Sequence, residues 1–308
     1  MKKQLFFQSA VVSTILSYLL IFVGGLVRVS GSGMGCPDWP RCFGRWIPPT
    51  NVEQIPSYID PTAFNIVLAW IEYGNRSLGV LVGFSIIILN IIAIYYFRKK
   101  AKLFISAILS LILVLANGAL GAIVVSSVLN PFLVSLHMIL ALMLVSVLSY
   151  ACIESYKLIH VEKFKNLEGN KTLSNSLILF WILIFVEILL GTGIRTNLEL
   201  VSIENPLLSK GELLNALDSY KYFHSFLGFT LLFLSIYIYA KLKNNSLYIV
   251  KFLGIFILGM IIVQIFLGEM MVFFELPQLT RLFHTWGSSW LVGVIIILYN
   301  CISNEQSK

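Results

Sequence analysis

Eight apolar runs govern what this chain can fold into. They cover roughly 7–28, 64–97, 103–127, 132–153, 174–196, 220–240, 247–274 and 281–302. Each is long enough to cross about 30 Å of hydrocarbon, which takes about 20 helical residues. Hydrocarbon cannot hydrogen-bond a loose backbone, so every run predicts a helix. The second run exceeds one straight span, and its start is expected to be amphipathic or outside the hydrocarbon. Only 12% of the residues are charged and 58% are hydrophobic, against about 25% charged in a soluble domain. The fold class is therefore all-α, a polytopic membrane protein.

Charge placement gives the sidedness. Lys2 and Lys3 precede the first run; Arg98, Lys99, Lys100 and Lys102 separate the second and third. Lys157, Lys163, Lys165 and Lys171 lie between the fourth and fifth, with His160 among them, and Lys241 and Lys243 follow the sixth. The opposite loops mix signs: Asp38, Arg41, Arg45, Glu53 and Asp60, then Glu199, Glu204, Lys210, Glu212 and Asp218. The positive-inside rule puts both termini in the cytoplasm. The net charge of +7 is then a topology signal, and no nucleic-acid partner is expected. "MKKQLFF" resembles a signal-peptide start, but no small-residue cleavage pattern follows, so the first run is kept as a helix. No Arg- and Ser-rich transit segment precedes it, which points to a bacterial plasma membrane.

The outer loop "GSGMGCPDWPRCFG" carries Cys36 and Cys42. On that side disulfides persist. A metal site is the alternative, but the spacing is not a usual zinc pattern and no His is near. A disulfide here is either a clamp on the loop or a pair for reversible thiol chemistry.

The two halves repeat. "NRSLG" (75–79) aligns with "HSFLG" (224–228), "NGALGAIVV" (117–125) with "QIFLGEMMV" (264–272), and "SLHMILALML" (135–144) with "LFHTWGSSWL" (282–291). "GGLVR" (24–28) resembles "GTGIR" (191–195). The pattern predicts two pseudo-symmetric four-helix bundles: residues 1–156 with outer loop 29–63, a cytoplasmic linker 157–173, and residues 174–308. Repeats with an even number of spans are parallel, related by an axis along the membrane normal.

Three of the four His, namely His137, His224 and His284, fall in or near the membrane, where ionisable groups are costly and functional by default. His224 and His284 share one depth in the second half, which suits a haem held between two imidazoles. In the first half the equivalent pair is Asn75 and His137. Glu72 stands three residues before Asn75, on the same helix face. An acid beside a half-ligated site reads as reactive; pairing with Arg76, its i+4 neighbour, is the other reading.

"GGLVRVSGSGMGCPDWPRC", "EYGNR" (72–76), "LH" (136–137), "FHSFLG" (223–228) and "RLFHTWG" (281–287) together resemble the haem A synthases, over the whole chain. The resemblance implies a resident haem b in the second half, with iron ligands His224 and His284. It implies that the first half binds the substrate haem O, whose C8 methyl group is oxidised to a formyl group, giving haem A for cytochrome oxidase. His137 then matches a substrate-site histidine, Glu72 the acid that assists catalysis, and Cys36 and Cys42 the outer cysteine pair. Asn75 and Arg76 fall in the substrate site. Arg28 and Arg195 are expected either to hold haem propionates or to mark helix ends. Partners implied are haem O, haem A and the bilayer, with haem O synthase and oxidase assembly factors as possible protein neighbours. Two departures stand out: Asn75 replaces the His of an E-x-x-H-R pattern, and residues 197–219 lack a second cysteine pair. A b-type electron-transfer cytochrome and a haem transporter or chaperone are the alternatives.

Overall fold

The computed structural model describes residues 1–164, 170–215, 217 and 219–303. Lys165, Asp218, part of the linker and residues 304–308 lie outside the described residues. Among the described residues ten α-helices follow in order: α1 (Lys2–Val29), α2 (Ile66–Tyr96), α3 (Ala101–Ser126), α4 (Pro131–Ile159), α5 (Val161–Phe164), α6 (Lys171–Glu204), α7 (Lys210–Asn215), α8 (Tyr220–Leu242), α9 (Tyr248–Phe273) and α10 (Gln278–Ile302). Eight of them, all except α5 and α7, are long and apolar enough to cross a membrane. The chain is thus a multi-pass, all-α membrane protein.

Two compact units divide it, Met1–Ala151 and Cys152–Lys308. In the first, α2 packs against α1 and α3. In the second, α8 packs against α6 and α9, and α10 against α6 and α9.

Side chains in the sequence explain where the helices start. Asn65 Oδ1 accepts the Val67 and Leu68 N–H groups at 3.0 and 3.2 Å, capping α2. Asn130 does the same for Phe132 and Leu133 ahead of α4, whose first residue is Pro131, and Asn170 for Leu173 in α6. Each cap satisfies donors that a helix start leaves open. Within the spans, hydroxyls turn back onto their own helix, as Thr14 does to the Ala10 carbonyl and Ser146 to the Leu142 carbonyl, both at 2.8 Å. Such bonds satisfy the hydroxyls within their own helices.

Several ends run past the apolar runs. α6 continues to Glu204, where Arg195 and Glu199, one turn apart, pair at 3.2 Å. The second apolar run forms one uninterrupted helix of 31 residues. Two turns match in detail. Val128 and Leu129 after α3, and Glu275 and Leu276 after α9, have positive φ between 54° and 61°. Leu129 N–H donates to the Val124 carbonyl and Leu276 N–H to the Met271 carbonyl, at 2.9 and 2.8 Å. This is the Schellman closure, made here without glycine.

Candidate functional site

In the second unit, α8 presents His224 and α10 presents His284. Their ring centroids stand 6.2 Å apart with planes at 66°. Two metal–imidazole bonds of about 2 Å, each lengthened by about 1.1 Å from nitrogen to ring centre, span about 6 Å. The spacing fits one iron between the two rings. Both Nδ1 atoms already face acceptors. His284 Nδ1 lies 3.1 Å from the Gln264 carbonyl oxygen of α9. His224 Nδ1 lies 3.1 Å from Glu187 Oε1 of α6, off the line of a regular hydrogen bond. A ring whose Nδ1–H is engaged offers Nε2 as the ligand.

Glycines make room for the rings. A Cβ on Gly191 of α6 would stand 3.3 Å from His224 Cε1, and one on Gly268 of α9 would stand 3.8 Å from His284 Cε1. The first unit repeats the arrangement. A Cβ on Gly121 of α3 would lie 3.4 Å from His137 Cε1, and one on Gly24 of α1 would lie 3.7 Å from Asn75 Oδ1. Asn75 therefore sits against α1 as His224 sits against α6. The Asn117 backbone of α3, equivalent to Gln264, neighbours His137, without regular hydrogen-bond geometry.

Buried polar atoms without a partner are found at these positions. They include Asn75 Oδ1, Asn117 Oδ1 and His137 Nδ1 in the first unit, and the Gln264 amide and Glu187 Oε2 in the second. More than about 90% of such groups are paired in protein interiors, so a polar-edged ligand is in keeping with both places. Among the described residues, no three His, Cys, Asp or Glu side chains gather as they would around a bare metal ion.

Glu72, Arg76 and the cysteine loop form a second assembly. Cys36 and Cys42 are joined by a disulfide and are buried with Phe43 and Ala69 in a small core of their own. Glu72, almost fully buried, accepts the Cys36 N–H at 2.7 Å through Oε2 and pairs with Arg76 through Oε1 at 2.5 Å. Arg76 in turn donates to the Asp38 and Arg41 carbonyls at 2.8 Å each and to the Cys36 carbonyl at 3.3 Å. Asp38 closes the loop from within, accepting the Phe43 and Gly44 N–H groups at 2.6 and 2.9 Å. Gly35 allows the contact with α2, since a Cβ there would fall 2.4 Å from the Leu68 carbonyl oxygen. Farther along the loop, hydrogen bonds from the Thr62 N–H and hydroxyl hold the Asp60 carboxyl below its usual value.

Arg28 lies in the last turn of α1, and Arg195 is engaged with Glu199. Glu187 and Gln264 are absent from the sequence-based site. Each had a signal: Glu187 is an acid inside the fifth apolar run, and Gln264 aligns with Asn117 in the repeat.

A family model described as cytochrome oxidase assembly protein (COX15-CtaA) matches residues 8–296. Relatives called heme A synthase include one from Geobacillus thermodenitrificans, 29% identical over 136 residues, covering 44% of this chain and 38% of the relative. One from Listeria monocytogenes serotype 4a is 27% identical over 140 residues, 46% of this chain and 41% of the relative. One from Shewanella oneidensis is 29% identical over 142 residues, 44% and 42%. The matched stretches thus span about two fifths of each relative's length.

Proposed function

Because the chain belongs to the COX15-CtaA family of cytochrome oxidase assembly proteins, we propose that it is a haem A synthase, oxidising the C8 methyl group of haem O to a formyl group. The observation that carries this reading is the His224–His284 pair, one iron's width apart, with both Nδ1 atoms facing acceptors. These residues would hold haem b as resident cofactor in the second half, residues 174–308. His137 would hold the substrate haem O in the first half, residues 1–156, where Asn75, at the position equivalent to His224, offers a carboxamide in place of an imidazole. Bound haem supplies the redox chemistry; the chain orients the macrocycle, fixes the ligand tautomers and keeps water out.

Glu72 serves this site by clamping the outer loop over the first half rather than by moving a proton. Both of its oxygens already hold partners, which supports the pairing reading, and Arg76 is committed to the same clamp. Arg28 serves at a helix end, where it suits the negative end of the α1 dipole; Arg195 lies nine residues before the end of α6 and pairs within the helix with Glu199. The protein resides in a bacterial plasma membrane with both termini cytoplasmic. It receives haem O from haem O synthase and passes haem A to oxidase assembly factors.

A b-type electron-transfer cytochrome would favour two bis-His sites, and Asn75 with Gly24 argues against the second. A haem transporter has no need of a resident bis-His haem. The test is the haem extracted from purified protein. Haem B together with haem O or haem A is the expected result. Haem B alone would replace this reading with the cytochrome.

A further inference from the structure

The two ligand cradles differ in one respect that no ligand position explains. Four residues before Gly191, one turn down α6, stands Glu187; four residues before Gly24, one turn down α1, stands Leu20. The carboxylate is therefore present behind the imidazole of His224 and lacking behind the carboxamide of Asn75. Glu187 Oε1 is 3.1 Å from His224 Nδ1, and its side chain is only 17% exposed. Its second oxygen is buried with no hydrogen-bond partner among the described residues, and His224 Nδ1 is the polar atom that its first oxygen faces. Space for it comes from Gly228, one turn beyond His224 on α8, where a Cβ would lie 3.4 Å from Glu187 Oε1.

We propose that Glu187 is a positioning residue for His224, selecting the tautomer that offers Nε2 to the haem iron and making that imidazole a stronger donor. The inference rests on the bis-His haem reading given above. An acid in a membrane span is costly, and it is tolerated when it takes part in a polar network. Outer partners of this kind fix ring orientation and raise ligand basicity; their loss typically weakens metal affinity about 10–100-fold. His284 Nδ1 faces the neutral carbonyl of Gln264 instead of a carboxylate. The two imidazoles are thus unequal in their outer partners, and the α8 imidazole would be the more electron-rich ligand. That electron density favours the ferric state and lowers the haem potential.

The experiment compares wild type, Glu187→Gln, Glu187→Leu and His224→Ala in detergent. Haem B per chain, the low-spin EPR signal, haem transfer to apomyoglobin and the midpoint potential are read for each. Glu187→Gln keeps an oxygen facing Nδ1 without the charge, so it should retain low-spin haem and titrate at a higher potential than wild type. Glu187→Leu should lose haem to apomyoglobin about 10–100-fold faster, with a diminished low-spin signal. If Glu187→Leu is not recovered folded, the potential of Glu187→Gln decides, and an unchanged value overturns the proposal. Wild-type haem retention and EPR in Glu187→Leu, with low-spin haem lost in His224→Ala, would overturn the role of Glu187 and leave the haem site standing. Wild-type protein without low-spin haem would overturn both.

Discussion

Replacing Glu72 by Ala should release the outer loop, and the hydrogen-bond set gives the scale. The substitution removes the acceptor of the Cys36 N–H and the carboxylate partner of Arg76, whose side chain is 14% exposed. Breaking a buried ion pair by deleting one partner costs about 3–5 kcal/mol. Arg76 keeps three loop carbonyls, which places the cost near the lower figure. At 1.4 kcal/mol per tenfold, about 3 kcal/mol raises the open fraction of the loop about 100-fold. Glu72→Gln keeps one acceptor oxygen and should cost about 1–2 kcal/mol, roughly tenfold. Hydrogen–deuterium exchange of a peptide containing Cys36 reads this directly. Exchange should be slowest in wild type, faster in Glu72→Gln and fastest in Glu72→Ala. Wild-type exchange in Glu72→Ala would refute the clamp. A loss of haem A formation in Glu72→Gln with wild-type loop exchange would return Glu72 to a role at the substrate.

Either His224→Ala or His284→Ala should abolish the low-spin haem B spectrum while the chain still inserts; both variants keeping it would refute the cofactor site. Gly191→Ala places a methyl 3.3 Å from the His224 ring and should lower low-spin haem content, read by absorbance per chain. Asn75→His places an imidazole opposite Gly24 and should convert bound haem O toward low spin, seen by EPR; an unchanged high-spin signal would refute the proposed place of residue 75 beside that haem. Thr62 and Ser209 hold the Asp60 and Glu212 carboxyls below their ordinary values. These carboxylates therefore stabilise their turns above about pH 4–4.5 and lose that effect as pH falls through the lowered values. Exchange of the loops that carry Asp60 and Glu212 should thus rise only in that acid range.

The eight spans were legible because hydrocarbon demands a length and an apolarity that a sequence displays openly. The interior faces were not. In lipid both faces of a helix are apolar, so Phe226 and Phe233 lie 72% and 69% exposed on α8 while Leu231 and Ile238 are buried on it. Hydrophobic periodicity cannot separate them. The disulfide between Cys36 and Cys42 was readable from sidedness. The histidine pair came from the repeat, which supplied register where composition supplied none. Glu187 escaped because its equivalent is Leu20, and a comparison that looks for sameness passes over a difference. The Val128–Leu129 and Glu275–Leu276 turns escaped because left-handed backbone without Gly or Asn carries no residue signature.

The carboxamide of Asn75, set against Gly24 where an imidazole would fit, has a consequence in time. An occupant gripped at two points departs only when both grips fail together; one gripped at a single point departs on one break. Affinity differences of this kind fall mostly on the departure rate, and each 1.4 kcal/mol of lost grip shortens dwell about tenfold. On the proposed function, Asn75 would thus help to separate a site that releases its occupant, as turnover requires, from one that keeps it.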